Sequence, residues 1–204
     1  MTKRRSFLAG VSLLPIAGCL TAPSANGGGP LPGDDGNGSG STRPSGTGGP
    51  GLRLVSTDGQ PDGPLEIGVE VTRDTATEEH PPGLRVSVTN TGDEAVAVGE
   101  GRAVVFQYQS STEDLLMLLP AHYDAPAEPD CWRLTDGIAV TQEYQVEGLE
   151  PGASLTADLS LYASPQSPEG TCLPVGDFRF ESIYAVDPEN DGQQFTWGFT
   201  VGLE

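Results

Sequence analysis

Basic side chains are scarce in this chain of 204 residues, which has one lysine, nine arginines and two histidines. So few cations form no patch that could neutralise the phosphates of a nucleic acid, which excludes DNA and RNA as partners. The histidines, His80 and His122, lie in loop-like segments without a GxSxG nucleophile motif or a second metal ligand at helical spacing. We therefore expect no catalytic residue, no metal site and no cofactor.

Long helical and long apolar segments are also missing. No stretch of more than about ten residues has the periodicity of an amphipathic helix. The apolar run over residues 7–17 is shorter than the roughly 20 residues that a membrane-crossing helix needs. Glycine motifs that cradle phosphates, such as GxxxxGK[ST] and GxGxxG after a strand, do not occur.

The N-terminus has the form of an export signal. A basic start is followed by the short apolar run, as in a signal peptide. Arg4-Arg5-Ser6-Phe7-Leu8 resembles the twin-arginine export motif, which a receptor reads. Ile16-Ala17-Gly18-Cys19 resembles the lipobox of bacterial and archaeal lipoproteins, whose cysteine thiol is acylated. We expect residues 1–18 to be removed and Cys19 to anchor the protein to the extracellular face of the cell membrane. The alternative is an uncleaved apolar N-terminus with a chance cysteine.

The remaining chain is strongly acidic. Without residues 1–18, seven arginines stand against 29 acidic residues, which gives a formal net charge of −22 and no lysine. Such charge repels itself in dilute buffer, but at about 1 M salt the screening length falls to roughly 3 Å. The composition resembles that of haloarchaeal proteins, and we expect a halophilic protein. An acidic surface that binds cations or a basic partner is the alternative.

Residues 19–50 are predicted to form a flexible, disordered tether after the lipidated Cys19. Residues 20–50 contain ten glycines and five prolines and almost no bulky apolar side chains. Such a segment buries too little surface to offset the entropy of ordering it. Asn37 begins the one N-x-S/T sequence of the chain, a weak indication of glycosylation.

Residues 51–204 are predicted to form one all-β domain. Apolar and polar residues alternate with a period of two, which is typical of antiparallel strands with one buried face. We expect an antiparallel β-sandwich of seven to nine strands. The alternating segments are residues 65–71, 84–89, 155–161 and 195–201, with further strands expected over 103–109, 114–119, 140–147 and 177–186.

Three cysteines leave an even pair once Cys19 is lipidated. In an oxidising compartment Cys131 and Cys172 are then expected to form a disulfide. Closing that loop of about 40 residues would contribute on the order of 4 kcal/mol in the chain-entropy model. Two buried free thiols, or half of a metal site, are the alternatives.

Three further features each have a functional and a structural interpretation. The loop Asp187-Pro188-Glu189-Asn190-Asp191-Gly192 partly imitates a calcium loop, but the closing glutamate is missing, which favours a solvated hairpin turn. Phe195, Trp197 and Phe199 share one strand face, which favours core packing over an aromatic binding strip. Trp132 either covers the disulfide or lines a surface site.

Three motifs carry a resemblance to immunoglobulin-like modules. They are residues 84–92 (LRVSVTNTG), residues 149–155 (LEPGASL) and residues 174–180 (PVGDFRF). The same order occurs in the BsuPI-type intracellular proteinase inhibitors and in haloarchaeal lipoproteins of uncharacterised function, which the chain resembles along its whole length. The resemblance implies an immunoglobulin-like sandwich but gives little information about function.

From these features we expect a membrane-anchored extracellular module that binds rather than catalyses. Its partner would be a surface protein, a glycan or an extracellular solute carrier. A surface proteinase inhibitor with the BsuPI-like fold is the alternative.

Processing can be tested at Cys19 and at the arginine pair. Cys19→Ser should give a protein without lipid that is unprocessed or shed into the medium, because the thiol that is acylated is gone. Changing Arg4 and Arg5 to lysine should block export, since the receptor reads that pair. Fractionation into membrane and medium, with mass analysis of the N-terminal peptide, measures both effects. Export that survives the lysine pair would indicate the general secretory route.

Overall fold

The computed structural model describes residues 41–42, 50–101, 104–140, 143–188 and 192–204. The predicted signal peptide, Cys19 and Asn37 lie outside the described residues, and their roles stay predictions. In the part that is described, no helix is long and apolar enough to cross a membrane. These ranges cover most of the predicted β domain, residues 51–204, and three residues of the segment before it.

Strands make up the regular structure of the described residues, and they are numbered β1 to β12 along the chain. Nine of them have five or more residues, and three have only two residues. The short strands are β1 (Ser41–Thr42), β6 (Gln109–Ser110) and β10 (Leu173–Pro174). The longer ones are β2 (Leu52–Thr57), β3 (Leu65–Arg73), β4 (Gly83–Asn90), β5 (Val96–Gly101), β7 (Leu116–Pro120), β8 (Tyr144–Leu149), β9 (Ser154–Ala163), β11 (Gly176–Val186) and β12 (Gln194–Leu203).

The nine longer strands and the short β6 form two antiparallel sheets of five strands each. One sheet has the order β3-β4-β9-β7-β6 and the other β2-β12-β11-β5-β8, while β1 pairs with β10. The triplets β3-β4-β9 and β12-β11-β5 follow the order of strands A-B-E and G-F-C in immunoglobulin-like sandwiches. The chain departs from that pattern between β5 and β9. There, β6 and β7 join the sheet that contains β3, β4 and β9, and β8 then pairs with β5 in the other sheet. The predicted antiparallel all-β sandwich is confirmed.

The predicted alternation sets which face of each strand is buried. In β4, Leu84, Val86 and Val88 are buried and belong to one core that includes side chains of both sheets. The intervening Arg85 points outward, and its guanidinium pairs with Asp158 of β9 at 2.8 Å. Because a shift of one residue would exchange the two faces, this pattern fixes the register of the sheet.

One predicted strand is wrong. Residues 104–108 form turns instead of the strand expected over 103–109, and only Gln109 and Ser110 are extended. Phe106 and Tyr108 have φ values of 51° and 56°, in the left-handed region that a strand does not use. The turn carries the Phe106 ring into the core, where its centroid lies 5.1 Å from that of Phe199 and 5.9 Å from that of Tyr184. Burial of this aromatic ring outweighs the local preference for a strand.

Residues 121–140 form a strap of irregular chain after β7, which pairs with the end of β9 through the bridge between Arg133 and Ala163. A disulfide attaches this strap to the segment after β9. The sulfur atoms of Cys131 and Cys172 are at bonding distance, with Cα atoms 4.8 Å apart, which confirms the predicted disulfide. Beside it, the Arg133 guanidinium donates to the carbonyl oxygens of Pro168 at 2.8 Å and Ser167 at 2.9 Å. The strap is thus held by the disulfide, by Arg133 and by the buried side chain of Leu134.

Replacing both Cys131 and Cys172 by serine should lower the free energy of unfolding by about 2–4 kcal/mol, because the unfolded chain regains the entropy of an open loop. The β circular-dichroism spectrum should persist, since the alternating strands and Arg133 remain. Chemical denaturation of the variant and of reduced wild-type protein measures the loss. Two reactive thiols in native, unreduced protein would contradict the disulfide.

Candidate functional site

An open groove lies where β5 ends beside β11. Among the described residues, the ladder between these strands covers residues 184–186 of β11. The groove encloses about 670 Å³. Its lining consists of Gly101, residues 109–112, Asp114, residues 181–183 and Thr196.

The loop opposite β11 is fixed by hydrogen bonds. The Thr112 amide donates to the carbonyl oxygen of Arg179 at 2.8 Å, which attaches the loop to β11 at one end of the groove. The buried Ser111 hydroxyl accepts from the amides of Leu115 and Leu116, both at 3.2 Å. This wall is therefore positioned by the fold before anything binds.

An ion-pair network lies at the rim on the β11 side. The Arg179 guanidinium donates to both carboxylate oxygens of Asp58, at 3.1 and 2.7 Å, and to Glu181 at 3.1 Å. The hydrogen bond from Arg179 holds the pKa of Asp58 below its ordinary value. Asp58 also accepts from the Gly198 amide at 2.9 Å, so it joins the end of β2 to β12. Sequence reasoning did not find this network because Asp58 and Arg179 are 121 positions apart.

Behind the groove, inside the sandwich, lies a buried acid. Glu100 is 1% exposed, and its two carboxyl oxygens accept from the Phe106 amide at 3.2 and 3.3 Å. Burial raises the pKa of Glu100 to about 7. Hydrogen bonds from the Ser182 hydroxyl and the Phe106 amide favour the charged form and so oppose this increase. The same burial, together with the charge of Glu100, raises the pKa of Tyr184 well above its ordinary value. Ser182 links the two regions, since it lines the groove and contacts Glu100.

A sequence signal for Glu100 existed but was missed. In β5, Val96 and Val98 face the core, and the same alternation places Glu100 on the inner face. The two glycines that flank Glu100 obscured the strand. An acid at an inward position of an alternating segment is the feature to look for.

The histidines do not take part in the groove. The His80 amide donates to the Thr77 hydroxyl at 3.2 Å in a turn before β4, and His122 is exposed in the turn after β7. Neither side chain lines the groove. Within the described ranges no group of three or more His, Cys, Asp or Glu side chains has an arrangement suited to a metal ion.

The other singled-out residues have structural contacts. The Asp187 carboxylate accepts from the Ala97 amide at 2.7 Å, which ties the start of the calcium-like loop to β5. Residues 189–191 of that loop lie outside the described residues. Trp197 and Phe199 are buried in the core, as predicted. Trp132 is half-buried, donates from its indole nitrogen to the Thr77 carbonyl at 2.8 Å and packs edge-on against Tyr162. It therefore joins the strap to the sandwich.

These features define an antiparallel β-sandwich protein with an immunoglobulin-like strand order and an open polar groove at the end of β5. No protein-family model matches the chain, and no curated protein is similar to it in sequence.

The raised pKa of Glu100 predicts that the free energy of unfolding depends on pH. Its pKa is about 7 in the folded protein and near 4.5 ordinarily, so the unfolded chain loses the proton first as the pH rises. The free energy of unfolding should therefore fall between about pH 4.5 and pH 7, by an amount on the order of 3 kcal/mol. Glu100→Gln removes this contribution, so its stability relative to wild type should rise across that range.

Denaturant titrations at several pH values and one ionic strength measure the difference. Glu147→Gln is the matched control, because Glu147 is an exposed glutamate on the neighbouring strand β8. The free energy of unfolding of the control should change with pH in the same way as that of wild type. A Glu100→Gln curve that also runs parallel would show that Glu100 does not titrate differently in the folded state.

Proposed function

We propose that the chain is a lipid-anchored, extracellular, non-catalytic binding module that holds a partner in the groove beside β11. The observation that carries this proposal is the groove itself. It is an open, mainly polar concavity whose loop wall is fixed by Thr112 and Ser111. Preformed concave surfaces of this kind are the usual places for binding.

The chemistry of the lining supports binding over catalysis. The side chains at the groove are mainly hydroxyls, an amide and two carboxylates. Ser182 has no histidine beside it that would activate its hydroxyl, and the carboxyl it contacts, Glu100, is enclosed by the sandwich. Hydrogen-bonding groups without an acid–base pair suit recognition of a ligand that leaves unchanged.

The N-terminal signals supply the location in this proposal. A twin-arginine signal and a lipobox would place Cys19 in the outer leaflet, and residues 20–50 would hold the domain away from it, at a relaxed distance of roughly 30 Å. A binding groove on such a tether would sample a volume near the membrane surface.

The BsuPI-like motifs do not supply an inhibitory loop. They fall on β4, on the turn before β9 and on β10 with the start of β11. In these places Gly152 and Gly176 have φ values of 77° and 140°. Glycine adopts such values without the steric cost that other residues have, so these glycines are explained by backbone conformation. The resemblance therefore supports the fold of the proposed module and leaves its binding site to the groove.

A photo-crosslinking amino acid placed at Ile183, on the groove rim, should test the proposal on intact cells. Ile183 is 60% exposed, so the replacement should be tolerated. A discrete adduct is expected in the membrane fraction, and Gly101→Leu, which fills the groove, should abolish it. The control position is Glu70, exposed on β3 of the other sheet, from which no such adduct should form. Equal adducts from both positions, or none from Ile183, would contradict the proposal.

A further inference from the structure

We propose that the disulfide between Cys131 and Cys172 is a reversible redox latch, which a dithiol opens and which thereby releases Trp132 from its contacts with the sandwich. This inference goes beyond the proposed binding function and does not depend on the groove. Making or breaking a disulfide next to an element that has two arrangements is a recurrent form of redox regulation.

The disulfide holds a turn in an unfavourable backbone conformation. Asp130 and Trp132, which flank Cys131, have φ values of 58° and 57°. This left-handed region is sterically costly for residues other than glycine, above all for a side chain as large as that of tryptophan. Such residues persist only where the surrounding structure enforces their conformation. Breaking the bond to Cys172 removes the covalent restraint, so the turn is free to relax.

Trp132 connects this turn to two other parts of the molecule. Its indole nitrogen donates to the Thr77 carbonyl at 2.8 Å, in the loop between β3 and β4. Its ring centroid lies 6.3 Å from that of Tyr162 in β9. Because the left-handed backbone sets the direction of this side chain, both contacts depend on the turn. A change at Cys131 is therefore transmitted to the loop between β3 and β4.

The chain that follows the turn is held independently of the disulfide. The Arg133 guanidinium donates to the Pro165 carbonyl at 3.0 Å, and the Leu134 amide donates to the Ala163 carbonyl at 2.9 Å. The buried Leu134 side chain packs with Tyr162 in a cluster separate from the core between the sheets. Opening of the latch is therefore local and leaves the sandwich folded.

The latch lies at the surface of the described structure. Cys131 is half-buried and its neighbour Asp130 is exposed, whereas Cys172 is only 8% exposed. Both cysteines line an open cavity of about 370 Å³. Disulfides that are exposed or strained are the ones that exchange readily with thiols. A reductant therefore reaches the sulfur of Cys131 first.

The reaction is an ordinary thiol–disulfide exchange with a dithiol. One thiolate of the dithiol attacks the Cys131 sulfur, the bond to Cys172 breaks, and the Cys172 thiolate that leaves takes up a proton. The second thiol of the dithiol then displaces Cys131, which is released as a thiol, and the dithiol closes to its own disulfide. Two electrons and two protons pass to the protein, and an oxidised dithiol reverses the step.

The two tryptophan indole groups report the state of the latch in ¹⁵N NMR spectra. The sample is residues 19–204 with Cys19→Ser, so that the pair is the only source of thiols. On reduction with dithiothreitol the Trp132 indole signal should shift, and its proton should exchange roughly tenfold faster. The Thr77 amide should also exchange faster. Trp197 is the internal control, since it is 1% exposed and donates to the Gly59 carbonyl at 3.1 Å.

Reoxidation should restore the Trp132 signal, and the Trp197 signal should stay in place throughout. An unchanged Trp132 signal in protein that titrates two thiols would overturn the latch. Equal changes at Trp132 and Trp197 would also overturn it, because they would indicate global unfolding. A disulfide that resists excess dithiothreitol in the native protein would show that no reductant opens it.

The role of the turn is tested by Asp130→Gly, because glycine adopts the left-handed conformation without steric cost. Relief of strain in the oxidised form should shift the equilibrium with dithiothreitol toward the protein disulfide by about threefold. Asp136→Gly is the matched control, the same change at an exposed aspartate of the strap that has no positive φ among the described residues. It should leave the equilibrium as in wild type. Equal shifts in both variants, or none in Asp130→Gly, would contradict the strained turn.

Discussion

The hydrogen bonds between the Glu100 carboxyl and the Phe106 amide are the constraint on which the rest of the structure depends. They link the end of β5 to the turn over residues 104–108. That turn delivers Phe106 to the centre of the core, where its ring contacts Tyr184, Trp197 and Phe199. Without a fixed end to β5, neither the aromatic cluster nor the gap beside β11 would have a defined shape.

This arrangement places an energetic conflict next to the groove. Burial disfavours the charged form of Glu100, whereas the Phe106 amide and the Ser182 hydroxyl favour it. An apolar residue at position 100 would remove the conflict but leave the Phe106 amide without its acceptor inside the protein, which is also unfavourable. Local features that oppose stability are often found near functional sites, where a particular geometry matters more than maximal stability. The position of Glu100 immediately behind Ser182 fits that relation.

The parts of the fold that could be predicted are those in which a local pattern coincides with burial. The strands β3, β4, β9 and β12 alternate cleanly, and the even pair of Cys131 and Cys172 was sufficient to predict the disulfide. The strand β5 was missed because it includes two glycines and a buried acid. The strand expected over 103–109 was wrong because the Phe106 ring is drawn into a core formed by distant strands. The groove could not be predicted, since it exists only where β5 separates from β11 and no local pattern encodes that point.

The few arginines show what kind of partner the surface can meet. Each of the five arginines whose side chains are described has a structural partner. Arg53 pairs with Asp177 and Glu204, Arg85 with Asp158, and Arg179 with Asp58 and Glu181, while Arg73 and Arg133 donate to oxygen atoms that include backbone carbonyls.

These arginines are therefore engaged in holding strands and the strap together, a role that suits the planar, multiply donating guanidinium better than lysine. Among the described residues this leaves an excess of carboxylates facing solvent. A partner that approaches the groove is consequently attracted if it is basic and tolerated if it is uncharged. At about 1 M salt the screening length falls to roughly 3 Å, so the long-range part of that attraction is lost and short-range contacts such as hydrogen bonds carry more of the recognition.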